Sequence, residues 1–555
     1  MLSIDNDDNL YVRYARLGRT GLLKAVENPL GGSIMLDYEM TDANVYHSRR
    51  WVMKEVKLSD NLPGDGADTL TTRYGYQYGY YDHAERRFSG FAKVSTFEIN
   101  TNGDTLRTTE RYFANNNVHL AGQILAEVLY DSLHRRYVQT TNHISLDTLN
   151  FVGGTARVLP KLNATRTCYF EGLNYAPITR TQTFEYENHY GNLVQQTETS
   201  TDQAKITANI FYHTQYNGNY CVNKVSRVDL RNGANVLLRR RTTDLDAMGH
   251  FTAIHDYFDS THCLSTRMEY DTCGNITVLR SPNTTTYFAY DSIANTYPTA
   301  VTDTFGIASY MHDYDYRFGV PRTVVDRAGN RMEYTLDAWG RTLTIRGPKE
   351  IAANQPYTLQ FSYYGKDNTH IVPMTKTEHY DPQHPANPIK IYTYCDGFGR
   401  IVQTRMESAV NGVEKLVVSG LQQYDALGRA VANYYPVETT LQDTACAFVT
   451  GSIPPATVVY DVLDRPLLQT APDGSSSTVL YGFDGSHLGK MLFKTTTTDA
   501  NHHSSTELKD VNGTPWAVKA AGQPFVYFDY NAAGDNIRVY SSIANDWERI
   551  YTYDL

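Results

Sequence analysis

Apolar and polar positions alternate along most of this 555-residue chain, one for one, in short runs such as 181–186, 193–197, 277–280, 342–346, 401–405 and 458–460. In the fourth of these, Leu343 and Ile345 fall on one face and Thr342, Thr344 and Arg346 on the other. A period of two is the period of a strand with one drier and one wetter face. Residues 33–37 and 51–58 alternate in the same way near the front. One stretch departs from this pattern: residues 118–133 carry Ile124, Leu125, Val128 and Leu129 at helix-like spacing and predict a short helix. That helix would run into a strand and turn at 130–135.

The strands are punctuated by one recurring unit. Its clearest copy is Tyr424-Asp425-Ala426-Leu427-Gly428-Arg429. Asp at the first position of a turn accepts from the backbone two residues on, and Gly at the fourth completes it, so the unit reads as a hairpin corner. Tyr closes the incoming strand and Arg opens the returning one. Further copies are Tyr270-Asp271-Thr272-Cys273-Gly274-Asn275, Asp326-Arg327-Ala328-Gly329-Asn330, Asp337-Ala338-Trp339-Gly340-Arg341 and Asp396-Gly397-Phe398-Gly399-Arg400, and a weaker one is Asp461-Val462-Leu463-Asp464-Arg465 after Tyr460. Weaker copies lie at 246–250, 291–295, 510–514 and 531–535, and Tyr553-Asp554-Leu555 is the first half of another. Some neighbouring copies are about 20 to 25 residues apart, room for two strands and two turns, and such a period signals a repeat array.

Composition agrees with β structure: 38 Gly, 20 Pro and 44 Tyr against 4 Trp, with 41% hydrophobic and 20% charged residues. Such a balance suits a sheet with one dry face and one wet face rather than a fully buried parallel sheet. The net charge of −10 argues against a surface that neutralises phosphates, which excludes nucleic acid as an expected partner. No apolar run is long enough for a transmembrane helix, and the first residues lack the basic start and apolar core of a signal peptide.

The unit Tyr-Asp-x-x-Gly-Arg/Asn followed by an alternating strand resembles the YD repeat of Rhs proteins, of the B and C components of bacterial Tc toxins, and of teneurins. A second stretch adds to this. Residues 22–33, Leu-Leu-Lys-Ala-Val-Glu-Asn-Pro-Leu-Gly-Gly-Ser, then Trp51-Val52, then residues 78–91 from Tyr78 to Phe91, resemble the middle region of TcdB-type Tc toxin B components and related SpvB/Rhs chains. The resemblance implies an all-β fold: a large antiparallel array of YD-repeat hairpins curling into a spiral hollow shell. It divides the chain into a TcdB middle-region-like β block at 1–115, a linking segment at 116–165 with the short helix and a first degenerate repeat, and a repeat shell at 166–555 that reads as truncated at its C-terminal side.

Candidate chemistry is sparse. Cys168, Cys221, Cys263, Cys273, Cys395 and Cys446 show neither a Cys-x-x-Cys pair nor zinc spacing. His250, His255, His262 and Cys263, with Asp256 and Asp259, match no helical or finger pattern of metal ligands. Asp60, Asp65 and Asp68 around Gly64 and Gly66 lack the ligand order of a calcium loop and read as a solvated turn. Nucleophile elbows, phosphate loops and His-Glu-x-x-His are missing. The self-cleaving core of Rhs and Tc C components carries Asp-Pro-x-Gly; Ala471-Pro472-Asp473-Gly474 has the order wrong.

The repeated Tyr, Asp, Gly and Arg positions are therefore expected to serve backbone geometry, with Arg341, Arg400, Arg429 and Arg465 stacking on a Tyr of the next hairpin. No catalytic, cofactor or metal residue is expected, and no cofactor. By resemblance, the expected function is a non-enzymatic shell segment of a secreted or cell-surface bacterial toxin that encapsulates a polypeptide cargo. Its expected partners are that cargo and the remaining Rhs/Tc chain or a C component completing the shell. A YD-repeat adhesion module and a polysaccharide-active enzyme are the alternatives.

Overall fold

The computed structural model describes residues 21–41, 49–62, 64, 66–150, 156–201, 205–214, 221–257, 262–366, 372–486, 489–531, 534–543 and 547–552, with the backbone of the strands Leu2–Ile4 and Leu10–Val12. The half-repeat at 553–555, and Asp65 and Asp259 of the acidic and histidine clusters, lie outside the described residues. Nearly every described element is a strand. The one α-helix among the described residues, Pro348–Ala352, is five residues long.

The strands form a meander in which each pairs antiparallel with the next in sequence, from Ala25–Glu27 and Ser33–Met40 through to Ile401–Val410 and Val413–Ser419. Among the described residues the ladder has two ends: Ala25–Glu27 pairs only with Ser33–Met40, and Val437–Thr439 only with Val413–Ser419, so hydrogen bonding between them does not close a barrel. At 420–421 and 434–436 the sheet creases. Gln422–Tyr424 and Ala430–Asn433, which extend the runs of Val413–Ser419 and Val437–Thr439, open a second sheet of 11 strands ending at Glu548–Ile550.

The segment expected to be helical is not. Residues 117–122 form turns and Ile124–Asp131 is a strand, paired with Thr105–Phe113 on one side and Arg136–Asn150 on the other. Isolated helix propensity is weak, and a strand position offers this segment ladders on both sides. The turn read at 130–135 does form: the Asp131 carboxylate accepts from the amides of Leu133 and Arg135 at 3.0 and 2.8 Å. The ladder crosses residue 115 without a break.

This sheet is one layer thick over most of its area. Among the described residues the buried hydrophobic side chains are few and scattered along the strands, and only six of them gather into two small clusters, one of Leu62, Tyr394 and Val402 and one of Leu492, Leu508 and Ala517. The accessible surface is 32506 Å², against about 20,000 Å² for a compact monomer of this mass. Such an excess is that of a wall with water on both faces. Cross-strand pairs support it where a core would otherwise do so: Thr197 with Thr207, Thr335 with Thr344, Arg180 with Glu198, and Arg240 bidentate to Asp229.

Candidate functional site

Every strong copy of the repeat adopts one geometry. In the Asp425 corner the Asp425 amide donates to the Arg429 carbonyl at 3.0 Å and the Gly428 amide returns to the Asp425 carbonyl at 2.9 Å. The carboxylate then accepts from the Leu427 and Arg429 amides at 2.9 and 3.0 Å, while Arg429 Nε holds its second oxygen at 2.8 Å. Asp271, Asp326, Asp337, Asp396 and Asp461 accept from their third and fifth residues in the same way. Asn275 and Asn330 replace the arginine with a side-chain amide at 2.9 Å. The fourth residue has positive φ at Gly274, Gly329, Gly340, Gly399 and Gly428, from 77° to 88°. These are type I turns ending in a left-handed residue, the three-residue hairpin connection.

The fifth residue joins one corner to the next. Arg341 lies over the Tyr363 ring, Arg400 over Tyr424, Arg429 over Tyr460 and Arg465 over Tyr481, at 3.9 to 5.0 Å from the centroids. The tyrosine hydroxyl donates to the carbonyl just past the arginine in three of these, Tyr363 to Thr342, Tyr460 to Ala430 and Tyr481 to Pro466. Tyr270 does the same to Phe251, where His250 takes the arginine's place and stacks at 4.8 Å. Each tyrosine therefore packs its ring against a guanidinium or, at Tyr270, an imidazole, and still satisfies its hydroxyl, that of Tyr424 by donating to Gln422 Oε1 at 3.0 Å.

Three of these corners also meet the front of the chain. Arg400 Nη2 reaches Asp60 Oδ2 at 2.8 Å while its Nε holds Asp396, and both carboxylates are buried. The Gly397 amide donates to the Asp60 carbonyl at 3.1 Å. Here the backbones touch: a Cβ on Gly32 would sit 2.4 Å from the Gly397 oxygen, and one on Gly397 2.3 Å from the Asp60 oxygen. Gly66 forms a parallel bridge with Tyr424, and the Ala67 amide donates to the Tyr424 carbonyl at 2.9 Å. Farther along, Arg107 reaches Asp464 at 3.0 Å, and Arg465 clamps Glu171. Sequence separations across this contact line run from 294 to 369 residues.

The wall thus curls through a full turn and lies against its own earlier strands along a seam. Asp464 explains the exceptional corner: at φ 61° it stands where the strong corners have Gly, and its carboxylate is shared by Arg429 at 2.9 Å and Arg107 at 3.0 Å. Burial pushes the Asp60 carboxyl above its usual range, against the Leu62 amide and Arg400, which favour its charge.

A strap fastens the start of the seam. Residues 440–455 pass over Ile389–Cys395 and Ile401–Val410, where Arg405 and Gln403 are fully buried. Arg405 pairs with Asp443 at 2.9 Å, Gln403 donates to the Ala447 carbonyl at 2.7 Å, and Tyr394 donates to the Thr444 carbonyl. Phe448 joins the Leu62, Tyr394 and Val402 cluster and sits against Gly64. Burial holds the Tyr394 hydroxyl up at about 12.

The sequence-level metal candidates face different partners: His250 binds Asp246 at 2.9 Å, and His255 binds Ser265 and Asp244 at 2.7 and 3.0 Å. Among the described residues no group of three His, Cys, Asp or Glu is placed to hold a metal. Sequence reasoning missed Arg107, Glu171, Gln403 and Arg405, which lie outside the repeat motif. It also missed the corners at Asn100, Asp303 and Asp499, each of which accepts from its third and fifth residues; Asn or Asp three residues before Gly or His is the signal that could have found them.

Residues 8–121 match the family described as insecticide toxin TcdB middle/N-terminal region, and residues 354–502 match a domain of unknown function, DUF6443. No curated protein matches the chain. Among solved structures, TcdB2-TccC3 is similar with TM-score 0.73 at 14% identity over 94% of this chain and 37% of that one. TcdB2-TccC3-Cdc42 has TM-score 0.73 at 13% identity over 94% and 39%, and the Photorhabdus luminescens Tc holotoxin pore 0.73 at 12% over 94% and 38%. The chain spans well under half the length of each. It is thus similar to TcdB-type Tc toxin components, in sequence over residues 8–121 and in fold over 94% of its length.

Proposed function

We propose that this chain is a section of container wall in a Tc-type bacterial toxin, passive in chemistry, enclosing a polypeptide cargo and helping to deliver it outside the producing cell. The observation that carries this reading is the seam: a one-layer sheet that curls until it seals against itself makes a wet interior, not a core. From Trp51–Ser59 to Ile389–Cys395 the turn contains 24 strands. At about 4.8 Å per strand, its circumference is roughly 115 Å and its diameter roughly 37 Å, less about 10 Å for the wall. A folded 100-residue domain, with a radius of gyration of about 13 Å, is roughly 33 Å across and does not fit. The cargo held at this level is therefore an unfolded or loosely folded chain. A C component or further Rhs wall would complete the enclosure.

The corner residues support this reading as structural parts. Their carboxylates are consumed by backbone amides and arginines, which leaves them no role in hydrolysis. One polar cleft brings Glu407 and Asp381 together, and these are paired with Lys390 and His384. Small-angle X-ray scattering tests the container directly. A hollow particle has a radius of gyration well above the roughly 24 Å of a compact 555-residue domain, with a distance distribution skewed to long vectors. A solid profile near that value would contradict it.

A further inference from the structure

Beyond Arg465 the seam runs on and then gapes. Phe493 of the second sheet still meets Tyr169 of the first edge to face, with ring centroids 5.0 Å apart. Farther along, a cleft of about 520 Å³ opens between the two sheets. Ile206, Leu230 and Leu238 line it from the first sheet, and Trp516 and Tyr530 from the second. A concave space of that size with an apolar and aromatic floor and a few polar groups is the form of a small-molecule site.

The charge on its lining is positive. The one carboxylate among the lining residues, Asp510, is spent within its own corner: it accepts from the Asn512 and Thr514 amides at 2.9 Å and from Trp516 Nε1 at 3.1 Å. The Asn232 side-chain oxygen is spent in the same way, on the Ala234 and Val236 amides at 3.0 and 2.9 Å, which leaves its NH2 as a donor. Two ammonium groups complete the lining. Lys205 is exposed, and Lys490 lies over the Trp516 ring at 3.3 Å from the centroid. The lining thus carries a formal charge of +1 in a chain of −10.

We propose that this cleft binds a small amphipathic anion, with an aromatic or alicyclic body against Leu230, Leu238 and Tyr530 and a carboxylate or sulfonate taken by Lys205 and Lys490. The apolar floor selects the body and the two ammonium groups select the sign of the head: a cation would meet like charge, and a neutral ligand would desolvate both lysines without pairing them. Lys490 is already held on the Trp516 ring, so pairing costs it little further rotamer freedom. The inference does not rest on the container reading, since the cleft would serve an adhesion array equally.

The test is titration of the full chain with anilinonaphthalene sulfonate and with phenylnaphthylamine, which has the same rings and no charge. The unaltered chain should bind the sulfonate at one saturable site, with energy transfer from Trp516, and more tightly than the neutral probe. Lys205→Glu, at an exposed position, should weaken the sulfonate by about tenfold or more and leave the neutral probe within about twofold. Ile206→Trp, which fills the cleft, should remove both, and an unchanged urea midpoint in each variant shows that the fold is kept. A sulfonate titration that neither variant alters places the probe elsewhere and overturns the proposal. So does a neutral probe that binds as tightly as the sulfonate, or the lack of any saturable site.

Discussion

Arg400 and Asp60, 340 residues apart in sequence, meet at 2.8 Å with the carboxylate of Asp60 only 1% exposed. The arginine belongs to a hairpin corner and is already committed to Asp396. One guanidinium therefore closes a local turn and, on its other edge, the curl of the whole wall.

Replacing Arg400 by Leu leaves both carboxylates buried without their cation. Loss of one partner of a buried pair costs about 3 to 5 kcal/mol, and a quarter-exposed arginine puts the expected loss at the lower end. A urea titration should show a lower midpoint, and limited proteolysis should cut at 440–455, while Arg341→Leu, away from the seam, should change neither by more than about 1 kcal/mol.

Two kinds of glycine should respond differently to Ala. Gly32 and Gly397 do not have positive φ, and their added Cβ would strike backbone at 2.4 Å or less, so the seam must part. Gly103 has φ 92° with nothing within 4 Å, so Gly103→Ala costs only backbone strain, about 1 to 2 kcal/mol. Thermal unfolding of the three variants separates contact from conformation: Gly397→Ala should fall furthest.

Acid should act late. The Asn275 side chain and amide hold the Asp271 carboxyl below its usual range, Asn330 does the same for Asp326, and Arg317 and Arg322 do so for Asp315. For a depressed acid the folded state binds fewer protons than the unfolded one, so stability is fully present above about pH 4 and is lost as pH falls through the folded values. Asp60 is raised by burial and has the opposite sign: its proton is bound more tightly in the folded chain, so its term favours folding as pH falls. Circular dichroism melts should show no loss from pH 7 to 5 and a steep one below 4; a fall already between 7 and 5.5 would count against these assignments.

The corner-to-corner link can be divided. Tyr460→Phe removes the bond to the Ala430 carbonyl and keeps the ring under Arg429, with an expected cost of about 0.5 to 1.5 kcal/mol. Tyr460→Ser removes both and should cost more, read as the shift in urea midpoint.

The corners were legible in sequence because their cause is local: Asp, Gly and Arg within five residues set the turn, and the tyrosine that receives Arg429 is simply the Tyr460 of the next unit. The helix expected at 118–133 failed for the complementary reason, since the ladders on either side of Ile124–Asp131 are invisible in a window of that length. No periodicity could show the seam. Gly32 reads as an ordinary turn glycine, and only the approach of Gly397 reveals why no side chain is tolerated there. Arg405 looks like the polar face of an alternating strand until the strap covers it.

The central claim is that the wall closes on itself, and a single pulsed electron-spin distance measures it. On a background with the six cysteines replaced by serine, spin labels at Asn102→Cys and Gln469→Cys, both exposed, sit on opposite sides of the contact where Arg107 meets Asp464. The closed wall predicts a narrow distribution at about 20 to 35 Å, from a few residues of strand at about 3.3 Å each plus the labels. An uncurled ribbon would place the two labels more than about 100 Å apart at the strand spacing of 4.8 Å, and the short distance would be missing.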